Sequence, residues 1–426
     1  MNKAAVLDRL EQAGSDSRHR DRVCAEVAAA LIADGVEPDF DVTTGDFADD
    51  AALICADRYW QLRLIDQPGI ATAARCARWI ENHIAAPVRH QIEHRWALGN
   101  GFVTRSSVES PAELAEATAA LLADPATGET VALFATLYHA GKLRANRAFD
   151  ALRMFLDASP LLEAAGARRE DPAVTALRSL AAFGSRAMTT DYAIRLLDAA
   201  WRAPDRTREV VDVCVQGISD AVPFDGQGVL LTERASEAVA AYQAGADHIF
   251  RYRLACGLHL CHRADEALAA IDEALSLLPA IGGRVSHEVL QQQYLTKREA
   301  ILEGRLRAQW SAEQQGRWEA QERANAAIQS TLQSSTVRAV ELVAIFTAAI
   351  AFAVGSLQVT LNGNLHLRDR IWLIVALGVG LAAFALLTIG GTWFITSRPS
   401  GSSHPGSSRR AHGPDADENP QRVARL

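Results

Sequence analysis

Leu342–Leu361 (LVAIFTAAIAFAVGSLQVTL) and Ile371–Ile395 (IWLIVALGVGLAAFALLTIGGTWFI) are two long apolar runs joined by the polar link Asn362–Arg370 (NGNLHLRDR). They hold about 20 and about 25 residues, each enough for a helix across a hydrocarbon core of about 30 Å. Neither run contains an ionisable side chain, and arginines bound the pair. Two such runs in succession are expected to form a membrane hairpin, and the rest of the chain is read as what that hairpin anchors.

The hairpin and the tail leave over 300 residues of the 426, ample for a sizeable core. Formal net charge is −8, which argues against a general nucleic-acid surface. Cys24, Cys55, Cys76, Cys214, Cys256 and Cys261 form no Cys-x-x-Cys pair and read as buried small residues in a reducing compartment. Lysine is nearly replaced by arginine and alanine is abundant, as expected from a GC-rich bacterial genome. Met1–Leu10 has no apolar core of a signal peptide. Arg323, Arg338, Arg398, Arg409 and Arg410 outside the hairpin, against Arg368 and Arg370 in its link, favour both termini on the cytoplasmic side of the inner membrane.

Working back from the hairpin, residues 286–338 hold no proline and two glycines, Gly304 and Gly316, with Ser286 as the expected N-cap. A nearly continuous helix of about 50 residues would span roughly 75 Å. Val289, Leu290, Tyr294, Ile301, Leu302, Leu306 and Trp310 give it an apolar stripe, but no strict heptad seam persists. A coiled coil and a helix packed on the preceding domain both remain open. Residues 397–426 are rich in Ser, Gly and Pro and are expected to be a disordered cytosolic tail.

Residues 1–281 read as an all-helical domain, from apolar spacings of three and four broken by Pro and Gly. Val210–Val215 could be a short strand or a buried helix. Glu37–Asp50 carries six carboxylates without the Asp-x-Asp-x-Asp-Gly spacing of a calcium loop, so a solvated loop is expected. In Phe250–Pro279, Leu254, Ala255 and Leu258 are followed by Ala267, Ile271, Ala274 and Pro279. This resembles one tetratricopeptide unit, although Arg251 stands where a tryptophan is usual. Ala148, Leu152, Phe155 and Pro160, then Leu177, Leu180, Ala193, Leu197 and Ala200, echo it weakly. The resemblance implies a degenerate helical solenoid that binds a protein partner, against the rival of an irregular helical bundle.

One string looks catalytic. His90-Gln-Ile-Glu93-His94 fits His-x-x-Glu-His, the inverzincin signature, in which two histidines on one helical face hold zinc and the glutamate is general base. No third ligand stands out, since Glu109, Glu113 and Glu116 sit among ordinary glutamates. The expectation is therefore a polar helix face, no cofactor and no enzyme activity, with His90, Glu93 and His94 as the metal candidates.

The hairpin runs carry Ala344, Ala348, Gly355, Gly378 and Ala382, small residues that let helices approach in lipid and offer a homo-oligomer contact. The absence of intramembrane charge argues against a carrier or pump. The expected function is a membrane-anchored adaptor. The alternative is a sensor-effector whose hairpins oligomerise to permeabilise the membrane, similar in layout to two-span effectors of bacterial defence systems. A zinc-dependent hydrolase is the minor reading.

Overall fold

A computed structural model describes residues 3–14, 16–242, 247–278, 284–361 and 366–396. Among the described residues the regular structure is helical, with one isolated parallel bridge between Val42 and Ile84. The expected membrane link at 362–365, the tail, Pro279 and Gly282-Gly283 lie outside them. The chain divides into two compact units, Met1–Ser311 and Ala312–Leu426.

The first unit runs α1 (Lys3–Glu11), α2 (Ser17–Ala33), α3 (Ala51–Asp66), α4 (Ile70–His83), α5 (Ala86–Val103), α6 (Pro111–Ala123), α7 (Glu129–Ala145), α8 (Phe149–Ala158) and α9 (Pro160–Ala164). After a 3-10 turn at Gly166–Glu170 follow α10 (Pro172–Gly184), α11 (Thr190–Arg202), α12 (Arg208–Ser219), α13 (Gln227–Ala241), α14 (His248–Leu260) and α15 (Ala264–Ser276). The starts are chemically marked. Asp50, Ser110, Ser159, Asp171, Thr189, Thr207 and Asp247 each accept from a backbone N–H in the first turn of the helix they precede. Ser110 and Glu113 complete a reciprocal capping box, and Pro111, Pro160 and Pro172 sit at the first helical position, where a missing N–H costs nothing.

Helix α7 is the centre of its half, buried all round from Val131 to Leu143 and packed on α4, α5, α8 and α9. Glycine lets the helices cross almost backbone to backbone. A Cβ on Gly101 would lie 2.6 Å from the Tyr138 carbonyl oxygen and 2.9 Å from the Gly141 Cα, at the α5/α7 crossing. Gly217 meets Leu180 between α12 and α10 in the same way, and Gly257 meets Thr232 between α14 and α13. From α10 onward each helix packs mainly on the next one or two in sequence, through buried Leu177, Leu180, Ala193, Leu197, Val210, Val213 and Cys214. The Val210 run is thus helical: Thr207 caps it, and it is buried all round from Glu209 to Val215. Buried Phe250, Ala255 and Leu258 face buried Ala267, Ile271 and Ala274 in an α14/α15 hairpin. Arg251, the residue in place of tryptophan, reaches across this hairpin to Glu273 at 3.1 Å.

The acidic stretch 37–50 departs from a solvated loop. Phe40 and Val42 are buried, the Pro38 carbonyl accepts from the Trp79 indole at 2.6 Å, and Val42 exchanges backbone hydrogen bonds with His83 and Ala85. Its carboxylates are separately engaged: Glu37 with Arg75, Asp39 with Lys3, Asp41 with His83 and Asp49 with Arg20, while Asp46 and Asp50 accept from nearby backbone N–H groups.

Helix α16 spans Arg284–Leu361, so it starts two residues before the expected cap Ser286 and continues without a break into the first apolar run. Its first turns belong to the first unit. Tyr294 and Ile301 are buried, Tyr294 stacks on Tyr252 at 4.4 Å between ring centroids, and Arg298 pairs with Asp272 at 2.6 Å. In the second unit the apolar end of α16 and α17 (Leu367–Thr396) face each other across a groove lined by Ala348, Phe352, Leu373, Ala376, Leu377, Gly380, Leu381 and Phe384. Among the described residues one helix, within His287–Gln358, is long and apolar enough to cross a membrane, and none of its apolar window is buried.

Candidate functional site

Helix α5 begins beside Pro87, and the 3.6-residue period then stacks His90 and His94 on one face, ring centroids 4.2 Å apart. Burial rises along the helix, from half-buried His90 to fully enclosed His94. Opposite them the 3-10 turn delivers Asp171, which caps α10 through Oδ1 accepting from Ala173 N at 2.8 Å. The same carboxylate meets both imidazoles, with Oδ2 3.1 Å from His90 Nε2 and Oδ1 2.9 Å from His94 Nε2. The second of these contacts lies off the line of a hydrogen bond, so His94 Nε2 is buried without a well-aligned partner. The other ring nitrogen, Nδ1, is 2.9 Å from Thr207 Oγ1, the cap of α12. Two helix caps therefore converge on one buried histidine.

Burial alone would raise the Asp171 carboxyl, but its contacts to His90 and His94 hold it well below the ordinary carboxylate range. The hydrogen bond to Asp171 raises His90 above its ordinary value despite its partial burial.

Of the sequence candidates, His90 and His94 come together and Glu93 turns aside. Glu93 Oε2 accepts from Arg168 at 2.7 Å, and Arg168 also donates to Thr130 Oγ1 at 3.2 Å, at the start of α7. Engaged this way, Glu93 cannot accept a proton without breaking a buried ion pair. Glu113 belongs to the α6 capping box, and Glu116 is exposed. Asp171 is the residue that sequence reasoning missed, 81 positions after His90. Its only local signal is Asp-Pro, a helix start, which carries no information about which helix lies opposite.

Glu109 builds a second buried cluster. Lys142, fully enclosed on α7, donates to Glu109 Oε2 at 3.0 Å and to the Ser107 carbonyl at 2.8 Å, and His139 Nδ1 lies 3.1 Å from the same carboxylate oxygen. Burial lowers Lys142 below its ordinary value. Burial opposes the ionisation of Glu109, yet its bonds to His139 and Lys142 bring it below its ordinary value of 4.5. This cluster ties the α5–α6 link to α7, and its centre is filled by an ammonium. No protein-family model, curated protein or solved structure matches the chain.

Proposed function

We propose that the chain is a membrane-anchored helical-repeat adaptor whose first unit holds a protein partner at the cytoplasmic face of a bacterial inner membrane. The observation that carries this reading is the make-up of α16. The helix buries Tyr294 and Ile301 in the first unit and carries at its other end an apolar window none of which is buried. Exposed apolar side chains on this scale find a favourable environment in lipid rather than in water. Sequential packing from α10 to α15, with glycine and alanine at the crossings, supports the helical-repeat part of the proposal.

The test is fractionation after expression of the full chain and of a version ending at Ser335. The full chain is expected to resist extraction at alkaline pH while the shorter one is soluble; a shorter version equally resistant would sink the anchor.

The sensor-effector reading keeps one observation in its favour. Ala348 faces α17 within the chain, whereas Ala344 and Ala382 are exposed, and Gly355 and Gly378 have open space where a Cβ would be. Those four could pack against a second hairpin. Ion leakage from vesicles that requires both the hairpin and these small residues would favour that reading over a passive anchor.

A further inference from the structure

We infer that His90, His94 and Asp171 bind one divalent transition-metal ion of the zinc class. Their ligand atoms all lie within 4.8 Å of one another, and each is carried on a fixed element: two on one face of α5 and the third at the cap of α10. Tetrahedral ligands at roughly 2.0 to 2.1 Å from zinc are about 3.3 Å apart. His90 Nε2 lies 3.1 Å from Oδ2 and His94 Nε2 2.9 Å from Oδ1, and the one ligand atom per residue falls within 4.8 Å of the others, so an ion at this point asks the carboxylate to turn and the ligand atoms to settle to that spacing.

His94 supplies the independent sign of a ligand. Its ring is fully enclosed, and its Nε2 is aimed into the cluster without a well-aligned hydrogen bond. His94 Nδ1 lies 2.9 Å from Thr207 Oγ1, and in the tautomer that donates Nδ1–H to this hydroxyl Nε2 carries the lone pair, as an outer hydroxyl does for a metal-binding histidine. Without a metal the ring can carry its proton on Nε2, toward Asp171 Oδ1 at 2.9 Å, and a metal ion would take the place of that proton.

Charge is consistent with this. With both imidazoles neutral, Asp171 and Glu93 against Arg168 leave one net negative charge, and the Arg168 guanidinium is turned to Glu93 at 2.7 Å rather than to Asp171 at 3.8 Å. Half-buried His90 leaves one side of the ion open to water. The neighbouring Glu109 cluster fails the same comparison, because Lys142 occupies the place of the metal. Glu93 offsets Arg168 and is neither ligand nor base, so the site differs from the inverzincin pattern in both its third ligand and the task of its glutamate.

The test uses the untagged full chain in detergent, stripped with a chelator and titrated with cobalt(II), then with zinc. One cobalt per chain with the visible bands of a low-coordinate N/O site, displaced by zinc, is expected. Asp171→Asn keeps a good helix cap and His90→Gln changes a half-buried position, so both should retain the wild-type circular dichroism while weakening the metal roughly 100-fold or more. His139→Gln should bind as wild type. A wild type that gives no cobalt bands, or variants that bind cobalt as well as wild type does, would overturn the assignment.

Discussion

The first unit and the apolar helices of the second use the same glycine-, alanine- and leucine-rich alphabet in opposite ways. Gly101, Gly141, Gly217 and Gly257 have a neighbouring helix's backbone where a Cβ would be, while Gly355, Gly378, Gly380 and Gly390 have nothing within 4 Å. Trp60 and Trp96 are enclosed, whereas Phe346 is 62% and Trp372 67% exposed. The same contrast holds for charge. The first unit encloses Lys142 by surrounding it with Glu109, Ser107 and Tyr138, and residues 342–361 contain no ionisable group at all. A glycine or an apolar run thus has no fixed meaning until its surroundings are known.

The largest effect is expected from leaving a charge unpaired in the first unit. Glu109→Gln strands the enclosed ammonium of Lys142 and should cost about 3 to 5 kcal/mol, read as a lower urea midpoint at pH 7. Because the folded-state pKa of Glu109 is depressed, its stabilisation is present above its ordinary value of 4.5 and is lost as pH falls through the folded value. The gap between wild type and variant should narrow below that pH. A gap that stays constant into acid would show that Glu109 acts by packing alone. Next comes the same error in the second unit. Ile350→Lys should weaken membrane insertion by about 2.5 to 3.5 kcal/mol and leave the urea midpoint of residues 1–311 where it was. Smaller still is Gly101→Ala. Its new methyl meets backbone at 2.6 Å, which side-chain motion cannot relieve, and a loss of about 1 to 3 kcal/mol is expected, whereas Gly378→Ala should change nothing in the first unit.

The legible parts of the fold are those encoded locally. Apolar spacings of three and four, and the Pro and Gly that break them, are set by residues within a turn or two of one another, so the all-helical class could be read off. The Val210 run is ambiguous because a short valine-rich stretch buries equally well as strand or helix, and the α10 and α13 surfaces that enclose it are not written in it. The acidic stretch 37–50 looked solvated because Lys3, Arg20 and Arg75, which engage three of its carboxylates, come from other helices. The site divides the same way. His90 and His94 share a face by spacing alone, but Asp171 joins them only because the 3-10 turn before α10 is brought against α5, and Arg168 decides the task of Glu93 from the same distant turn.

The smallest prediction tests where, along α16, enclosure gives way to exposure. Tyr294 Oη is 2.8 Å from His248 Nδ1, and the Tyr294 ring lies nearly parallel to Tyr252. Tyr294→Phe keeps the stack and deletes one enclosed hydrogen bond, so it should cost about 1 kcal/mol of first-unit stability. Trp318 sits farther along the same helix and is 68% exposed. Despite the larger volume removed, Trp318→Ala should stay within about 0.5 kcal/mol, because truncating an exposed side chain leaves no cavity. Urea unfolding followed by circular dichroism in detergent measures both, and the order matters more than either value. If Trp318→Ala costs as much as Tyr294→Phe, a partner covers that stretch in solution, and the boundary between enclosed and exposed helix lies beyond Trp318 rather than before it.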